Sequence, residues 1–456
     1  MVKPPTPEDF PAAVTGKRLA MLDGIKVLDL TRFLAGPFAG MVLADLGASV
    51  LKVEQLSGDS TRDNPPYYFQ GDSAYFLSVN RNKQSIALDL KSPQGAEVLR
   101  RLVAGADVIL DNLREPQRVA LGLSYSQLEK INPRIVSCSV TGFGSDGPYA
   151  DRPAYDIVVE ALAGIMSLTG PAGGPSVRAG VPIGDITAGL YAAIGTLAAL
   201  QSRQVTGHGM HVDVGMLDCQ ISLLSYLGQY YLTGGLVAEH QGRAHVSIPT
   251  YNTFTTKDDL EIVIAANTQE MWVSLCGVLV RDDLPEEARF ATNADRLRHR
   301  EELVPVLQQE IAKWTSADLY ARLVEVGVPA APINTIDVAL RNPQVAHRDM
   351  VVRVPHRDGG EFLTIGVPVK SEHSAESDFL SPPALGGQTS DVLQALGYSL
   401  TEIAGLAEAG VVQTGPVPRK LALVDPAVHA LSLAGDVPTG FRGKEEGNVG
   451  DIIGRA

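Results

Sequence analysis

The sequence predicts an α/β protein in which a doubly wound parallel sheet is joined to a second, smaller domain. Three observations support this prediction. The chain has 456 residues, which is too long for one ordinary hydrophobic core. Its first half alternates β-rich runs with helical patterns, which is typical of parallel sheets. Its composition, 45% apolar and 20% charged, is typical of a globular protein.

The alternation is clearest in the first 145 residues. The runs that predict strands are "IKVLDLT" (25–31), "SVLKVE" (49–54), "SIALDL" (85–90), "DVILDN" (107–112) and "RIVSCSVTG" (134–142). Between them, "SPQGAEVLRRLVAGA" begins with the N-cap residue Ser92 and repeats apolar residues at helical spacing. Because ligands of such sheets bind at the carboxyl ends of the strands, we expect the functional residues in the loops that follow these runs.

A change of pattern after residue 225 indicates the second domain. The segment "YYLTGGLVAEHQGRAHVSIP" resembles a linker, "TYNTFTTKDDLEIVIAA" predicts a β-hairpin, and a charged helical stretch follows. Strand-like pieces, "MVVRVPH" and "FLTIGVPV", then return. We therefore expect an N-terminal extension (1–20), the first part of the large domain (21–225), a linker (226–249), the small domain (250–330), a return to the large domain (331–411) and a C-terminal extension (412–456).

Charge and composition exclude several classes of function. A formal charge of −14 argues against binding to nucleic acid or to an anionic membrane surface. The uncharged helical candidate Ile186–Gln201 is shorter than the roughly 20 residues that span a bilayer, and the N-terminus lacks the apolar core of a signal peptide. The scattered Cys138, Cys219 and Cys276 predict reduced thiols. We expect a cytoplasmic protein with no membrane partner, no nucleic-acid partner and no metal.

The glycine-rich segment "VTGFGSDGPY" has the spacing of a dinucleotide-binding motif at Gly142, Gly144 and Gly147. Such a motif must open a helix. Here Pro148 and Pro153 follow at once, so the segment predicts a turn whose backbone could approach a ligand closely. The chain contains no GxSxG, Walker lysine or HExxH motif, which excludes several classes of hydrolase.

Asp185 is the most unusual residue of the sequence, because Arg178 is the only other formally charged residue between Glu160 and Arg203. One interpretation is structural: Asp185 precedes an apolar helical run and could cap it through a backbone N–H. The other is catalytic, because an ionised carboxylate in a site that excludes water is a nucleophile for activated acyl groups. Gly184 before it would leave room for a substrate.

Several segments, in order, resemble the class III coenzyme A (CoA) transferases, a formyl-CoA transferase-like or CaiB/BaiF-type family that is related to the α-methylacyl-CoA racemases. The resemblance covers about Leu22 to Val411. It rests on "LDGIKVLDLTRFLAGPFAGMVLADLGASVLKVE", "RNKQSIALDLKSPQG", "DVILDNLRE", "VTGFGSDGPY", "GVPIGDITAGLYAAIGTLAAL", "GVPAAPINT" and "LGGQTSDVLQALGY".

The resemblance implies a fold, a nucleophile and a ligand. It implies a Rossmann-like large domain that binds CoA, a smaller α+β domain, and two chains interlocked as rings; a heteromer with a paralogue stays open. It implies that Asp185 is the nucleophile, and that CoA or acyl-CoA is a substrate while no cofactor is bound permanently. The residues that it places around CoA are Ala35, Leu88, Lys91, Asn112, Leu113, Arg114, Thr141, Gly142, Phe143 and Gly144.

The chain departs from the family at positions that bind the CoA phosphates. Gln55 stands where many members have a basic residue, Gln84 ends the family's Asn-Lys-Arg motif, and Ala120 occupies the position of a further arginine. We expect other cations to take over these contacts, and the candidates are Lys52, Arg62 and Arg81.

The function that the resemblance implies is transfer of CoA from a donor such as succinyl-CoA to a carboxylic acid, through a mixed anhydride and an aspartyl-CoA thioester on Asp185. An acceptor such as malate or a methylated relative could meet a cation, for which the candidates are Arg32, Arg178, Arg243 and His245.

Two alternatives to a homomeric transferase stay open. The first is a 2-methylacyl-CoA racemase, which exchanges protons at the α-carbon. At the racemases' His-Asp pair this chain has Tyr155 and Asp156, and a phenol lacks a pKa near neutrality. The second is a non-catalytic CoA-binding subunit of a heteromeric transferase, although an intact Gly-Asp motif argues against it.

Overall fold

The computed structural model describes residues 4–240 and 242–415. Up to residue 234 the described strands are β1 (Lys17–Leu19), β2 (Lys26–Asp29), β3 (Ser49–Glu54), β4 (Tyr68–Phe69), β5 (Asp72–Ser73), β6 (Lys83–Leu88), β7 (Val108–Asp111), β8 (Val136–Thr141) and β9 (His211–Gly215). The described helices of this part are α1 (Ala35–Asp45), α2 (Ala74–Val79), α3 (Pro93–Ala104), α4 (Glu115–Ala120), α5 (Tyr125–Ile131), α6 (Asp156–Leu162), α7 (Ile165–Leu168), α8 (Ile183–Thr206), α9 (Met216–Leu223) and α10 (Ser225–Gly234).

A small antiparallel sheet and four helices follow, within residues 251–332. The strands are β10 (Tyr251–Thr255), β11 (Glu261–Ala265) and β12 (Ala330–Pro332), in the order β10-β11-β12. The helices are α11 (Gln269–Val278), α12 (Asn293–Arg298), α13 (Arg300–Ile311) and α14 (Ser316–Glu325). Trp272, Phe254 and Phe290 are buried in a core of their own between this sheet and its helices. Alternating burial along β10 and β11 shows one face of the hairpin turned to that core.

The last part of the described chain returns to the large sheet. It contains α15 (Ile336–Leu340), α16 (Pro343–His347), β13 (Val351–Pro355), β14 (Glu361–Ile365), β15 (Glu376–Asp378), α17 (Thr389–Ala395), α18 (Leu400–Glu408) and β16 (Val412–Gln413). Strands β13 and β14 form a hairpin, and β15 pairs with β1 near the N-terminus. Three single turns of 3₁₀ helix complete the described elements, at Pro7–Asp9, Ser60–Asp63 and Leu284–Glu286.

The central sheet of the described chain has the order β16-β6-β3-β2-β7-β8-β9. Every pair from β6 to β9 is parallel, and only β16 runs antiparallel to its neighbour. One face packs against α1, α8 and α9, the other against α3, α5, α17 and α18. The prediction of an α/β fold with a mostly parallel central sheet is therefore confirmed. Strands β2, β7 and β8 are adjacent, so the loops that follow them meet at one edge.

The domain boundaries stay predictions, but observed elements occupy the start of two predicted segments. Helix α10 occupies the start of the predicted linker, so that segment is not extended chain throughout. The predicted C-terminal extension begins with β16, in which Val412 pairs with Leu88 of β6. Residues 412–413 thus belong to the central sheet, and from residue 416 onwards the predicted extension lies outside the described residues.

Helix α8 is long and apolar enough to cross a membrane by length and composition alone. It is longer than the predicted run, because it begins at Ile183 and continues to Thr206. Its buried side is made of small residues, among them Ala188, Ala192 and Ala199, and packs against α1 and β8. The same length and composition are found in core helices of globular proteins.

Val412 tests whether β16 is an integral strand of the central sheet. Its side chain is 3% exposed and packs with Leu88 and Leu393. We expect Val412→Ala to lower the free energy of unfolding by about 2 kcal/mol, because two buried carbons are lost and a small cavity is left. Leu400→Ala, at a side chain that is 68% exposed on α18, should change it by less than about 0.5 kcal/mol. Urea unfolding measures both; equal effects would contradict the assignment.

Candidate active site

Two helices begin close together at the carboxyl edge of the sheet. Helix α1 follows β2 and begins at Ala35, while α8 begins at Ile183 and packs along α1. This close approach needs Gly189, because a Cβ on that residue would lie 2.7 Å from the carbonyl oxygen of Ala35. The first-turn N–H groups of a helix lack intrahelical acceptors, so two sets of donors converge here.

Asp185 lies in the first turn of α8, half-buried and facing the start of α1. Burial first, and then the negative charge of Asp156, raise the pKa of its carboxyl group to about 6. The backbone N–H of Ala35 lies close enough to the carboxylate to act in the opposite direction and lower that pKa. The structural interpretation of Asp185 as the helix cap is wrong, because Pro182 holds the N-cap position and the Asp185 side chain caps no backbone group.

The capping role belongs to Asp156, the first residue of α6. Its Oδ1 accepts hydrogen bonds from the backbone N–H of Gly184 at 2.8 Å and of Asp185 at 3.2 Å. Gly184 is required for this contact, since a Cβ there would lie 2.9 Å from that oxygen and 2.0 Å from Nε2 of buried Gln220. The Gly-Asp pair of the sequence therefore reflects tight packing of three helices around the start of α8.

A third carboxylate, on Glu160, extends this cluster. Its Oε2 accepts a hydrogen bond from the N–H of Ala179 at 2.9 Å. Burial raises the pKa of Glu160, and its hydrogen bond with Asp156 raises it as well. The carboxyl group of Glu160 therefore holds its proton to a higher pH than an ordinary glutamate does.

Tyr75 is a neighbour of Asp185 that sequence reasoning missed. It follows Ser73, whose side chain caps helix α2. Burial first, and then the charges of Asp185, Asp59 and Asp156, raise the pKa of Tyr75 to about 12. The phenol therefore stays protonated and can donate a hydrogen bond near the carboxylate. No local signal identifies it, because 110 residues separate it from Asp185.

The structure brings together part of the predicted CoA site. Asn112 lies beside the loop of Ala35: its Oδ1 accepts from the N–H of Arg32 at 3.1 Å, and its Nδ2 donates to the Arg32 carbonyl at 2.8 Å. Both polar atoms of that amide are thereby used to hold the loop. Arg114 is exposed at the same edge and donates to the carbonyl of Asp151 at 3.3 Å, and the N–H of Leu113 donates to Asp111.

The glycine-rich segment after β8 forms a turn, as predicted, and no helix begins there. Thr141 Oγ1 accepts a hydrogen bond from the N–H of Gly144, which has a positive φ of 87°. A Cβ on Gly142 would lie 2.2 Å from that of Ala154, and Phe143 packs edge-on against Tyr149. These contacts leave the predicted residues at the same edge as Asn112, on the neighbouring strand.

Leu88 is the last residue of β6 and Lys91 follows that strand, so both lie further along the sheet. Leu88 is fully buried in the core, so its side chain cannot contact CoA, and the prediction that this side chain binds CoA is wrong. Lys91 is exposed, and its N–H donates to Asp89 at 3.0 Å.

The predicted replacements for the phosphate-binding cations are wrong. Lys52, Arg62 and Arg81 are all buried, and each forms an ion pair with one carboxylate: Lys52 with Asp59 at 2.9 Å, Arg62 with Glu54 at 2.6 Å, and Arg81 with Asp45 at 2.6 Å. Buried cations that are neutralised within the fold cannot reach a ligand at the surface.

The four candidates for the acceptor carboxylate separate into two groups. Arg32 lies next to Asn112 in the loop of Ala35, and the charge of Arg178 acts on Glu160. Arg243 instead pairs with Glu261 of the small sheet, and His245 stacks between Tyr226 and Tyr251. Only the first group is tied to the residues around Asp185. Within residues 4–240 and 242–415, no three His, Cys, Asp or Glu side chains form a group suited to a metal ion.

Comparisons with known proteins agree on one family. The family model described as CoA-transferase family III matches residues 22–389. The chain is 38% identical to a human protein named succinyl-CoA:glutarate CoA-transferase, over 86% of this chain and 90% of that protein. It is 35% identical to a Haloarcula hispanica protein named succinyl-CoA:mesaconate CoA-transferase, over 83% and 97%. A crystal structure of a CaiB/BaiF family protein from Brucella suis superposes with a TM-score of 0.74 at 36% identity, over 83% and 100%.

The raised pKa of Asp185 predicts a stability effect of known sign. The folded state binds this proton more tightly than the unfolded chain, so the stabilisation is present at low pH and is lost as pH rises through about 6. We expect Asp185→Asn to be more stable than the wild type at about pH 7.5, by on the order of 1 kcal/mol after allowance for partial exposure. The difference should shrink as pH falls toward about 4.

Urea unfolding at several pH values measures this effect, and Glu402→Gln is the matched control. Glu402 also lies in the first turn of a helix, where the N–H and hydroxyl of Ser399 lower the pKa of its carboxyl group. Its stabilisation is therefore present at neutral pH, and the control should lose stability where Asp185→Asn gains it. A loss for Asp185→Asn at about pH 7.5 would contradict the site electrostatics described above.

Proposed function

The chain belongs to CoA-transferase family III and is a class III CoA-transferase, and from that premise we propose that Asp185 is the nucleophile that passes CoA from succinyl-CoA to a dicarboxylic acid. The observation that carries the proposal is the carboxylate itself. It is half-buried, it faces the start of α1, and the carboxylate of Asp156, which contacts Glu160, lies beside it. Relatives named for glutarate, mesaconate and D-citramalate as acceptors support a dicarboxylate here.

The chemistry needs only the carboxylate and the two substrates. Asp185 attacks the thioester carbonyl of the donor and expels CoA thiolate, which leaves a mixed anhydride. The thiolate then attacks the aspartyl carbonyl, which forms the aspartyl-CoA thioester and releases the donor acid. The acceptor carboxylate attacks that thioester, and the same steps in reverse give the new acyl-CoA and free Asp185. One thioester is conserved throughout, so no external energy is required.

The start of α1 is suited to the negative charge that develops in these steps. The N–H groups of Gly184 and Asp185 are already bound by Asp156, so the start of α8 does not supply them. The N–H of Ala35 faces the Asp185 carboxylate from a helix N-terminus, where positive partial charge is concentrated. Donors fixed in place before the reaction stabilise a developing oxyanion best.

The same geometry disfavours the racemase alternative. Tyr155, at the position of the racemases' histidine, is 60% exposed at the N-cap of α6. Asp156 beside it is engaged in capping α8 and in contact with Glu160. Neither side chain is therefore placed as the free base that proton exchange at the α-carbon would require.

We further propose that two copies of the chain form the active assembly. Helices α6, α8, α9 and α10 expose large apolar side chains, and no residue of α10 is buried. Among these side chains are Ile157, Ile194, Ile221, Tyr231 and Leu232, which are between 48% and 78% exposed. An apolar surface of this extent is typical of an interface. The chain also leaves the central sheet and returns to it at β16, as interlocked rings require.

Asp185→Asn tests the nucleophile. We expect CoA transfer from succinyl-CoA to a panel of dicarboxylates to fall by at least about 10³-fold, because the amide keeps the shape but cannot form the anhydride. Wild-type enzyme incubated with succinyl-CoA and then hydroxylamine should carry a hydroxamate on Asp185, detected by peptide mass spectrometry. The control Asp23→Asn changes an exposed aspartate and should retain activity. Near-normal transfer by Asp185→Asn would rule out the mechanism.

Native mass spectrometry tests the dimer. Wild-type protein at micromolar concentration should have twice the mass of one chain. The double variant Ile194→Asp/Leu232→Asp should shift it to monomer, because two charges would be buried without partners at the interface. Val324→Asp is the control and should stay dimeric. This side chain is 53% exposed on α14, one of the helices that pack on the small antiparallel sheet. A stable wild-type monomer would contradict the proposal.

A further inference from the structure

The segment from Thr31 to Pro37, here named the α1-entry loop, brings Ala35 against the start of α8: a Cβ on Gly189, one turn after Asp185, would lie 2.7 Å from the carbonyl oxygen of Ala35. The N–H of Ala35 lies close enough to Asp185 to lower the pKa of its carboxyl group. Two buried lysines hold its ends through backbone carbonyls. Lys52 Nζ donates to the carbonyl of Thr31 at 2.7 Å, and Lys83 Nζ donates to the carbonyl of Pro37 at 2.9 Å. The loop is therefore tied to β3 and β6, the two strands that carry the lysines.

Each lysine is neutralised by one buried aspartate. Lys52 pairs with Asp59 at 2.9 Å, and Lys83 pairs with Oδ2 of Asp29 at 2.8 Å. The other oxygen of Asp29 accepts hydrogen bonds from the N–H and the hydroxyl of Thr31, the first residue of the loop. Because burying these charges costs free energy, we attribute their positions to the loop that they hold in place and not to a gain in stability.

The loop needs such anchors because its backbone is unfavourable. Phe33 has a φ of 65°, a left-handed conformation that non-glycine residues adopt rarely. Asn112 holds the neighbouring Arg32 through both its N–H and its carbonyl. With the lysines at each end and Asn112 between them, the loop is fixed along its length.

We infer that Lys52 and Lys83 are positioning residues for CoA transfer: they fix the α1-entry loop so that the N–H of Ala35 meets the reacting carboxylate. The inference rests on the proposed role of Asp185 as nucleophile. Neither lysine touches substrate, and neither replaces the missing phosphate-binding arginines. Their effect falls on the chemical step, because a small displacement of a preorganised donor lowers the rate more than it lowers binding.

Lys83 adds a pH signature. Burial lowers its pKa to about 8; Asp29 on β2 raises the pKa, and Lys52 on β3 lowers it. The other charges that act on this cluster are Glu54 at the end of β3, Asp59 after β3 and Asp45 at the end of α1. Above about pH 8 the lysine loses its charge and the loop loses its tie to Asp29, so kcat should fall. The depressed pKa of a lysine does not make the fold less stable as pH rises, so this loss is not unfolding.

The experiment removes one ion pair at the start of α1 and a matched pair at its end. In Asp29→Asn/Lys83→Met both charges of the first pair are replaced together, which leaves no unpaired buried charge. In the control, Asp45→Asn/Arg81→Met, a buried pair of similar geometry is replaced at the far end of the same helix. The rate of hydroxamate-trappable thioester formation on Asp185 is measured in a single turnover, and CoA affinity by calorimetry.

We expect the first variant to form the thioester about 10- to 100-fold more slowly at nearly unchanged CoA affinity, and to lose the decline of kcat above about pH 8. The control should keep both the rate and the decline. Equal rates in the first variant and the wild type, or equal losses in both variants, would overturn the inference. If the first variant does not fold, the wild type decides: a kcat that stays flat to about pH 9.5 overturns the inference. If the wild type traps no hydroxamate, the proposed function has failed.

Discussion

The packing of α8 against α1 is the constraint on which the site depends. It presses the start of one helix onto the start of the other, with Gly189 at the crossing and Gly184 between α6 and α9. A side chain at either glycine would separate the helices and move Asp185 away from the N–H of Ala35. The same packing buries Asp185 close to Asp156 and Tyr75, and that burial raises the pKa of its carboxyl group.

Beneath this contact lies a layer of buried charge that a hydrophobic core would not require. Arg62 binds Glu54 through two hydrogen bonds and the carbonyl of Pro383 through a third, and Glu54 also accepts from Ser85. Desolvation makes such pairs poor contributors to stability. Their directional hydrogen bonds join β3 and β6 to the loops above the sheet and to the returning chain near residue 383. Orientation of those loops, rather than stability, accounts for them.

The sequence was most informative where the signal is local. Alternating runs predicted the strands of the parallel sheet, and ordered motifs predicted the family, the class of enzyme and CoA transfer, all of which are confirmed. It failed where the outcome depends on contacts between distant residues. Asp156, on another helix, takes the capping role that pattern alone offered to Asp185. The burial of Lys52 and Arg62 depends on ion pairs with Asp59 and Glu54 that pattern alone does not predict. The sequence around Tyr75 and around strand β16 contains no local pattern that predicts their positions in the structure.

The division of roles between Asp156 and Asp185 is consistent with a helix start that is both stable and able to carry the proposed nucleophile. A carboxylate that caps a helix is stabilised in its ionised form, which lowers its pKa and makes it a weak nucleophile. Here the side chain of Asp156, and not that of Asp185, accepts the hydrogen bonds of both backbone donors of α8. The side chain of Asp185, in the first turn of α8, lies in a poorly solvated position beside the negative charge of Asp156, and its pKa rises to about 6. At neutral pH it is still ionised, yet it is more basic than an ordinary aspartate. A carboxylate in that state is better able to attack a thioester.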